Sequence, residues 1–515
     1  MQLKLLTKGI LSVFWGIVVL VLYFQAHESF FYAILGGRHI GFVLISLGIF
    51  FVLVKAIIDQ KKWSSLFSSV LGILIYIFII LLLVQIFLVR AFEIPRPINW
   101  SKILLLDLSH FVGLALLVSG TILNGNLCIP LLKIDSESNI YKPTIFGLGI
   151  LVISAINFGL GYFNLLRIPF TWISLAWPIF LAPRKSWKIL KGFWWNRIKG
   201  IDEVKWTGWL AIWVIGLFTA LNLLEGIRPV PKGYDALSQY YNLIQIIGNT
   251  DQLVNGFGAY NWLLFVGLGK FVFEWDSLSF VWSNSMVFMS SIALYFLAKN
   301  RISKNSALIL AAFFIATPLI NVVPGLQQKV EGGILFFSII GIHTLWVVLE
   351  DRPSIEKYSL WLGVICGYLF GIKYSTLILI WSFIVVIAWY FGNFWTLLAS
   401  VGFIMAGVIF LNLDAFSNIN LEHLNRDRSI YWLIGISSAS LVAAIFDPLI
   451  QWKKMIVSLI LLVGGSLLTF APWMIKHYLE TSSYEVSDLL NGQRQELLFD
   501  FEALKTQIQN EKNNN

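Results

Sequence analysis

Charge is scarce in this sequence. Asp, Glu, Lys and Arg make up 13% of its 515 residues, about half the share found in soluble globular domains. So few charges cannot cover an ordinary water-facing surface, and the chain falls in the membrane class. Cysteine is nearly absent. Cys128 and Cys366 stand far apart, each inside an apolar run. No disulfide framework or thiolate metal site is available, and both read as small buried hydrophobes. The six histidines show no metal-ligand spacing, and no glycine-rich phosphate loop opens a basic helix. Nor does a small-residue cleavage site follow the opening MQLKLLTKGILSVFWGIVVLVLYFQ, which reads as a retained first span.

What fills the sequence instead is apolar: 58% of residues are hydrophobic and the mean hydropathy is +0.78. A helix needs about 20 apolar residues to cross a bilayer. Runs of that kind lie near 9–25, 33–57, 66–89, 103–131, 144–164, 168–183 and 207–224. Others follow near 277–298, 306–320, 332–350, 359–372, 375–391, 395–412, 430–446 and 454–471. The expectation is an all-α polytopic membrane protein of about 15 transmembrane helices. The run 258–273 is short, broken by glycine and carries Lys270, which suits a helix lying at the membrane interface.

The net charge of +9 gathers in short loops, where it sets orientation. With the N-terminus in the cytoplasm, the larger share of Lys and Arg falls inside. That share includes the densest cluster, RKSWKILKGFWWNRIKGIDEVK at 184–205. The cluster also divides the chain. Residues 1–183 form a six-span unit, 184–206 a basic cytoplasmic linker, 207–475 a second membrane unit and 476–515 a polar tail.

The longest polar interval between spans, residues 226–262, then faces outward. It holds Arg228, Lys232, Asp235 and Asp251, with Tyr240 and Tyr241 beyond them. Asp235 sits where an acid would favour the start of a helix. Beside Arg228 and Lys232 it is also placed to take a proton from a hydroxyl while the cations hold a phosphate. Other outward loops bring Lys329 and Glu331 (PLINVVPGLQQKVEGG), Lys373 (GIKYST), and Lys476 with His477 (FAPWMIKHYLETSS). Asp107 and His110 share a face of the fourth span, His343 lies in the tenth, and His39 adjoins Arg38. Ionisable groups inside spans are functional candidates by default, though a satisfied neutral histidine serves packing equally well.

Taken in order, these features resemble the GT-C membrane glycosyltransferases, the group of aminoarabinose-transferase-like and protein-mannosyltransferase-like enzymes. The resemblance runs over residues 221–478. Its parts are the loop GYDALSQYYNL with AYNWLLFVGLGKFVFEWDSL, the basic turn LAKNRISKNS and the Ser/Thr-Pro end ATPLI. Then come the acidic span start KVEGGILFF, the hairpin LFGIKYSTLIL and APWMIKHY. The sequence departs from the family's usual pattern at Gln239–Tyr240, at Glu331 where Asp is common, and over His477–Ser483.

The resemblance implies a GT-C-like core with outer interfacial helices in the first core loop. It also implies inverting transfer of a sugar from a polyprenyl-phosphate donor to a glycan, lipid or protein acceptor at the extracytoplasmic face. Asp235 would be the general base, with Glu331 orienting the acceptor. Lys373, Arg228, Lys232, Lys329 and Lys476 would bind the phosphate, and Tyr240 and Tyr241 would line the substrate. A divalent cation, if one takes part, would draw on Asp235 and Glu331. The expected setting is a bacterial inner membrane, with no nucleic-acid partner. Two rival readings are a transporter or flippase for a lipid-linked glycan and a catalytically silent subunit of the same fold.

Overall fold

The computed structural model describes residues 48, 69–91, 100–132, 134, 140–196, 203–227, 240–254, 259–320, 329–350, 355–410 and 426–481. Among them every regular element is a helix. That is the physical expectation in lipid, where the backbone must satisfy its own hydrogen bonds. Among the described residues eight helices are long and apolar enough to cross a membrane, which makes the chain a multi-pass membrane protein. The expected runs near 9–25 and 33–57 lie almost wholly outside the described residues.

The chain forms two compact units. The first, residues 1–101 with 195–199, contributes helix α1 (Val70–Ala91), in which Ile77, Ile80, Leu81 and Val84 are buried. The second unit, residues 102–194 and 200–515, carries everything that follows. Its helices are α2 (Trp100–Leu132), α3 (Tyr141–Tyr162), α4 (Thr171–Leu181), α5 (Pro183–Trp195) and α6 (Trp206–Gly226). Three short helices come next: α7 (Asn242–Thr250), α8 (Asn261–Val266) and α9 (Leu268–Phe273). Then follow α10 (Asp276–Ala298), α11 (Lys304–Ala316), α12 (Glu331–Glu350) and α13 (Ile355–Phe370). The last are α14 (Leu377–Phe391), α15 (Phe394–Phe410), α16 (Arg426–Ile445) and α17 (Trp452–Thr481). The unit therefore takes in α2, α3 and α4, which the charge pattern alone groups with the N-terminal spans.

Contacts along the helices give this unit two distinct ends. A Cβ on Gly113 of α2 would meet Leu278 at the start of α10, and one on Gly226 at the end of α6 would meet Val281. At the opposite end of α10, Arg301 forms a two-pronged pair with Glu350 at the end of α12, both bonds 2.9 Å. Lys304 pairs there with Glu203, and Asn305 accepts from the Lys205 backbone. Ser303 caps α11 by accepting from Ser306 N–H, which supplies one of the orphan donors of a helix start. The ends of α3, α6, α13 and α17 thus lie with the starts of α2, α10, α12 and α14. We call this the acidic-start end and the other the Arg301 end.

Close approach depends on glycine at a few points. A Cβ on Gly363 would run into the Leu462 carbonyl, and one on Gly367 into Ser466 and Thr469. These residues, four apart on one ridge of α13, let α17 lie parallel against it. Small residues do this work in lipid, where apolar burial gives no drive to helix pairing. Ser466 and Thr469 then donate to the carbonyls of Gly363 and Val364. Across the unit runs a chain of rings: Trp262, Phe265, Trp282, Phe146, Phe336, Phe337 and Tyr368. Successive centroids are 4.7–6.2 Å apart, tilted or edge to face. Such contacts contribute about 0.5–1.5 kcal/mol each beyond burial.

Three elements differ from the sequence expectation. The run 168–183 gives only the 11-residue α4, with Pro178 inside it, short of the roughly 20 residues that cross a bilayer. The run 258–273 does not lie on a surface. It forms α8 and α9, whose residues Asn261–Gly269 are all buried within the protein. Side chains from neighbouring helices satisfy these short helices' carbonyls: Asn157 donates to Leu264 and Thr171 to Phe271, each at 2.8 Å. Finally, α17 does not stop before residue 476. It continues through Pro472 to Thr481, so the tail begins later than the composition suggests.

Candidate functional site

At the acidic-start end, Glu331 is the first residue of α12, and Lys373 follows the end of α13 in a short extended link. An acid in the first turn is favoured by the helix dipole, by about 0.3–1 kcal/mol. Lys373 Nζ lies 3.2 Å from Glu331 Oε1, with the two side chains 38% and 28% exposed. Glu331 Oε2 is buried and accepts no hydrogen bond. An ammonium has three donors, and only the one to Glu331 is used. The pair thus offers a half-exposed cation with spare donors, held by a carboxylate rooted in a helix start.

Asn261, at the start of α8, underlies this pair. Its backbone N–H donates to Gly371 O at 3.1 Å, and its Oδ1 accepts from Trp473 Nε1 of α17. Its carbonyl lies 3.5 Å from Tyr368 OH, which bonds Ser154 of α3 at 2.9 Å. Trp262 next to it packs flat against Gly333 of α12, where any Cβ would strike the indole. Tyr260 is buried with its ring 4.5 Å from Trp473, and its hydroxyl accepts from Val254 N–H. Burial pushes the Tyr260 phenol well above its usual range.

A second polar cluster forms where α9 meets α10. Gln245 donates to Asp276 Oδ1 at 2.7 Å, Tyr241 reaches Oδ2 at 3.4 Å, and Lys270 Nζ lies 3.6 Å from Oδ1. Burial first, and then the Asp276 charge, raise the Tyr241 phenol. His110 neighbours this cluster in space through Trp275, which precedes Asp276 and whose ring lies 4.1 Å away. Its Nδ1 is 2.8 Å from the Leu106 carbonyl, so Nδ1 carries the proton. Nε2 then accepts from Ser277 Oγ at 2.8 Å. His110 is thus a buried, fully bonded neutral side chain.

Of the residues singled out from the sequence, Arg228, Lys232 and Asp235 lie outside the described residues. Glu331 and Lys373, 42 positions apart, are brought together. Lys329 sits half-buried two residues before Glu331. Lys476 is buried; it donates to Val254 O at 2.9 Å and pairs with Glu480 at 2.5 Å. These bonds turn it inward. Tyr241 joins Asp276, not Lys373, and Tyr240 is half-buried one residue before it. Among the described residues no group of three or more His, Cys, Asp or Glu is arranged to hold a metal ion.

Asn261, Trp473 and the Lys270–Asp276 pair escaped the sequence reading of the site. The spacing gives no hint of the first two, which act through each other across 212 positions, and the Lys270–Asp276 pair spans the break between α9 and α10. The only signal was the Pro-Trp step at 472–473, read for its motif and not for its indole.

The fold and this site define a helical multi-pass membrane protein with a carboxylate–ammonium pair at one end of its larger unit. Comparison with known protein families, curated proteins and solved structures finds no match to the chain.

Proposed function

We propose that this chain is a membrane glycosyltransferase of the GT-C type, using a polyprenyl-phosphate sugar as donor at the acidic-start end. One observation carries the reading. Glu331 and Lys373 come from the ends of different helices and meet at 3.2 Å at the end remote from Arg301 and Lys304. Nucleotide sugars are confined to the cytoplasm, so transfer on the outer side requires a donor carried on lipid.

In this reading Asp235 takes the proton of an acceptor hydroxyl, whose oxygen attacks the anomeric carbon. The bond from that carbon to the phosphate oxygen breaks, and the phosphate leaves with the electron pair. Attack from the opposite face inverts the centre. Lys373 neutralises the departing phosphate, a contribution that grows where water is scarce. Glu331 holds Lys373 in place and orients the acceptor. The buried bonds of Lys476 make it a support for the Val254 segment, so the phosphate role falls to Lys373 with Arg228, Lys232 and Lys329. A divalent cation, if required, would sit between Asp235 and Glu331.

The test compares membranes with and without the protein by mass spectrometry of envelope glycans and lipid-linked sugars. A glycan missing a sugar, with its lipid-linked precursor accumulating, is the expected result. Asp235→Asn should lower transfer by about 10²–10⁴-fold at unchanged expression. Unaltered glycans in the protein's absence would end the proposal, and retained transfer by Asp235→Asn would remove that residue from the base role.

A further inference from the structure

Asn261 occupies a junction that its own solvation does not explain. It is buried, at 6% exposure, near the end of the polar interval 226–262. Yet its backbone and side chain tie together three helices that are distant in sequence. The main-chain N–H holds Gly371 O, two residues before Lys373. The side-chain oxygen holds the indole N–H of Trp473. An indole can only donate, so the amide oxygen must face Trp473 and Nδ2 must point the other way. That is what the packing shows: a Cβ on Gly371 would run into Asn261 Nδ2. The side chain is therefore wedged between α17 and the turn that carries Lys373.

The neighbouring residues act in the same sense. Trp262 bears on Gly333, two residues into α12 from Glu331. The start of α8 thus touches both elements whose ends supply the ion pair. Lys373 itself has an extended backbone (φ −160°, ψ 129°), and the turn that carries it closes back on α13 through Gly371 N–H to Gly367 O and Lys373 N–H to Leu369 O. Its place relative to Glu331 depends on where Gly371 is held.

We infer that Asn261 is a positioning residue: clamped by Trp473, it fixes the Gly371 turn so that the Lys373 ammonium meets Glu331. The inference rests on the reading of Lys373 and Glu331 as the substrate-facing pair, but its test needs no turnover. A failure of sugar transfer would leave it standing, and its own failure would leave transfer untouched.

The test is zero-length carbodiimide coupling in the full chain, purified in detergent, with the linked peptides quantified by mass spectrometry. A carbodiimide joins a carboxylate to an amine only when the two are in contact. Native protein should yield Glu331–Lys373 links, and also Glu203–Lys304 links at the far end, which serve as the folding control. Asn261→Leu, which removes the acceptor, should reduce the Glu331–Lys373 yield at least fivefold while leaving Glu203–Lys304 within twofold. Asn261→Asp keeps an acceptor for the indole and should restore most of the yield. An undiminished Glu331–Lys373 link in Asn261→Leu, or no recovery in Asn261→Asp, would overturn the inference. Should Asn261→Leu lose both links through unfolding, Trp473→Phe decides, because it deletes the indole N–H while keeping an aromatic ring in place. A selective loss there supports the clamp, and an unchanged link overturns it.

Discussion

Lys373 and Glu331 are unequal partners, and the inequality can be measured. Removing the lysine by Lys373→Met leaves a carboxylate with one oxygen already buried and unbonded and the other newly without its ammonium partner. A buried polar group without a partner costs about 1–3 kcal/mol. Glu331→Gln removes the charge but keeps an oxygen for Lys373, whose ammonium is exposed enough to be solvated, and should cost less than about 1 kcal/mol. Thermal unfolding in detergent should therefore rank Lys373→Met below Glu331→Gln, and the reverse order would mean that the pair is not built as described. Lys299 gives a pH prediction at the other end. Burial first, then repulsion from Lys142 and Lys304, lowers its amine from 10.5 to about 8, while its charge lies 4.2 Å from the Phe296 ring. Between pH 8 and 10.5 the unfolded chain holds the proton that the folded chain has lost, so stability rises with pH across that window. Lys299→Met should lack this increment. Melting temperatures at pH 7 and 9.5 should show the native protein gaining on the variant, and parallel behaviour would contradict the shift.

At the scale of elements, the ridge of Gly363, Gly367 and Gly371 does two jobs. Its first two members seat α17, and the third lets Asn261 approach the turn. Gly367→Val would press a branched side chain on the Ser466 carbonyl and Thr469. Overpacking of this kind costs about 1–3 kcal/mol, visible as a lower melting temperature with the helix content retained. An unshifted melting temperature would show that the α13–α17 contact has room to spare. The same elements show what the sequence makes legible. Spans such as Asp276–Ala298, Glu331–Glu350 and Tyr374–Phe391 begin and end within a few residues of the apolar runs, because transfer from water to lipid acts on composition alone. The Glu331–Lys373 meeting was also readable, since one opens a span and the other follows the end of a span on the same side. The deep burial of residues 259–272 was not. Its Gly-broken run with a lysine has the composition of an interfacial helix, and only Asn157, Thr171 and Ser279, from three other helices, reveal how its polar groups are met inside. Nor was the inward turn of Lys476 visible, as a lysine past a Pro-Trp step looks solvent-bound until Val254 and Glu480 are placed beside it.

For the molecule as a whole, the two ends of the larger unit differ in how they hold charge, and this bears on orientation. At the Arg301 end, Lys142, Lys299, Arg301 and Lys304 crowd together, offset by Glu203 and Glu350 and by aromatic faces at Phe296 and Trp346. At the acidic-start end, Glu331 and Asp276 open helices, and each is met by one lysine. Membrane insertion favours Lys and Arg in cytoplasmic loops, which predicts the Arg301 end in the cytoplasm and Lys373 outside. A cysteine at each position reports this directly, because both native side chains are about two-fifths exposed. The native cysteines interfere little: Cys366 is buried and Cys128 is half-buried within α2. In intact cells a membrane-impermeant maleimide should label Lys373→Cys and spare Arg301→Cys, and permeabilisation should expose the second. The opposite pattern would invert the chain and set the proposed site against nucleotide sugars, so that a lipid-borne donor is no longer required. Labelling of both from outside would mean that α11, α12 and α13 do not carry the chain across the bilayer between these two points.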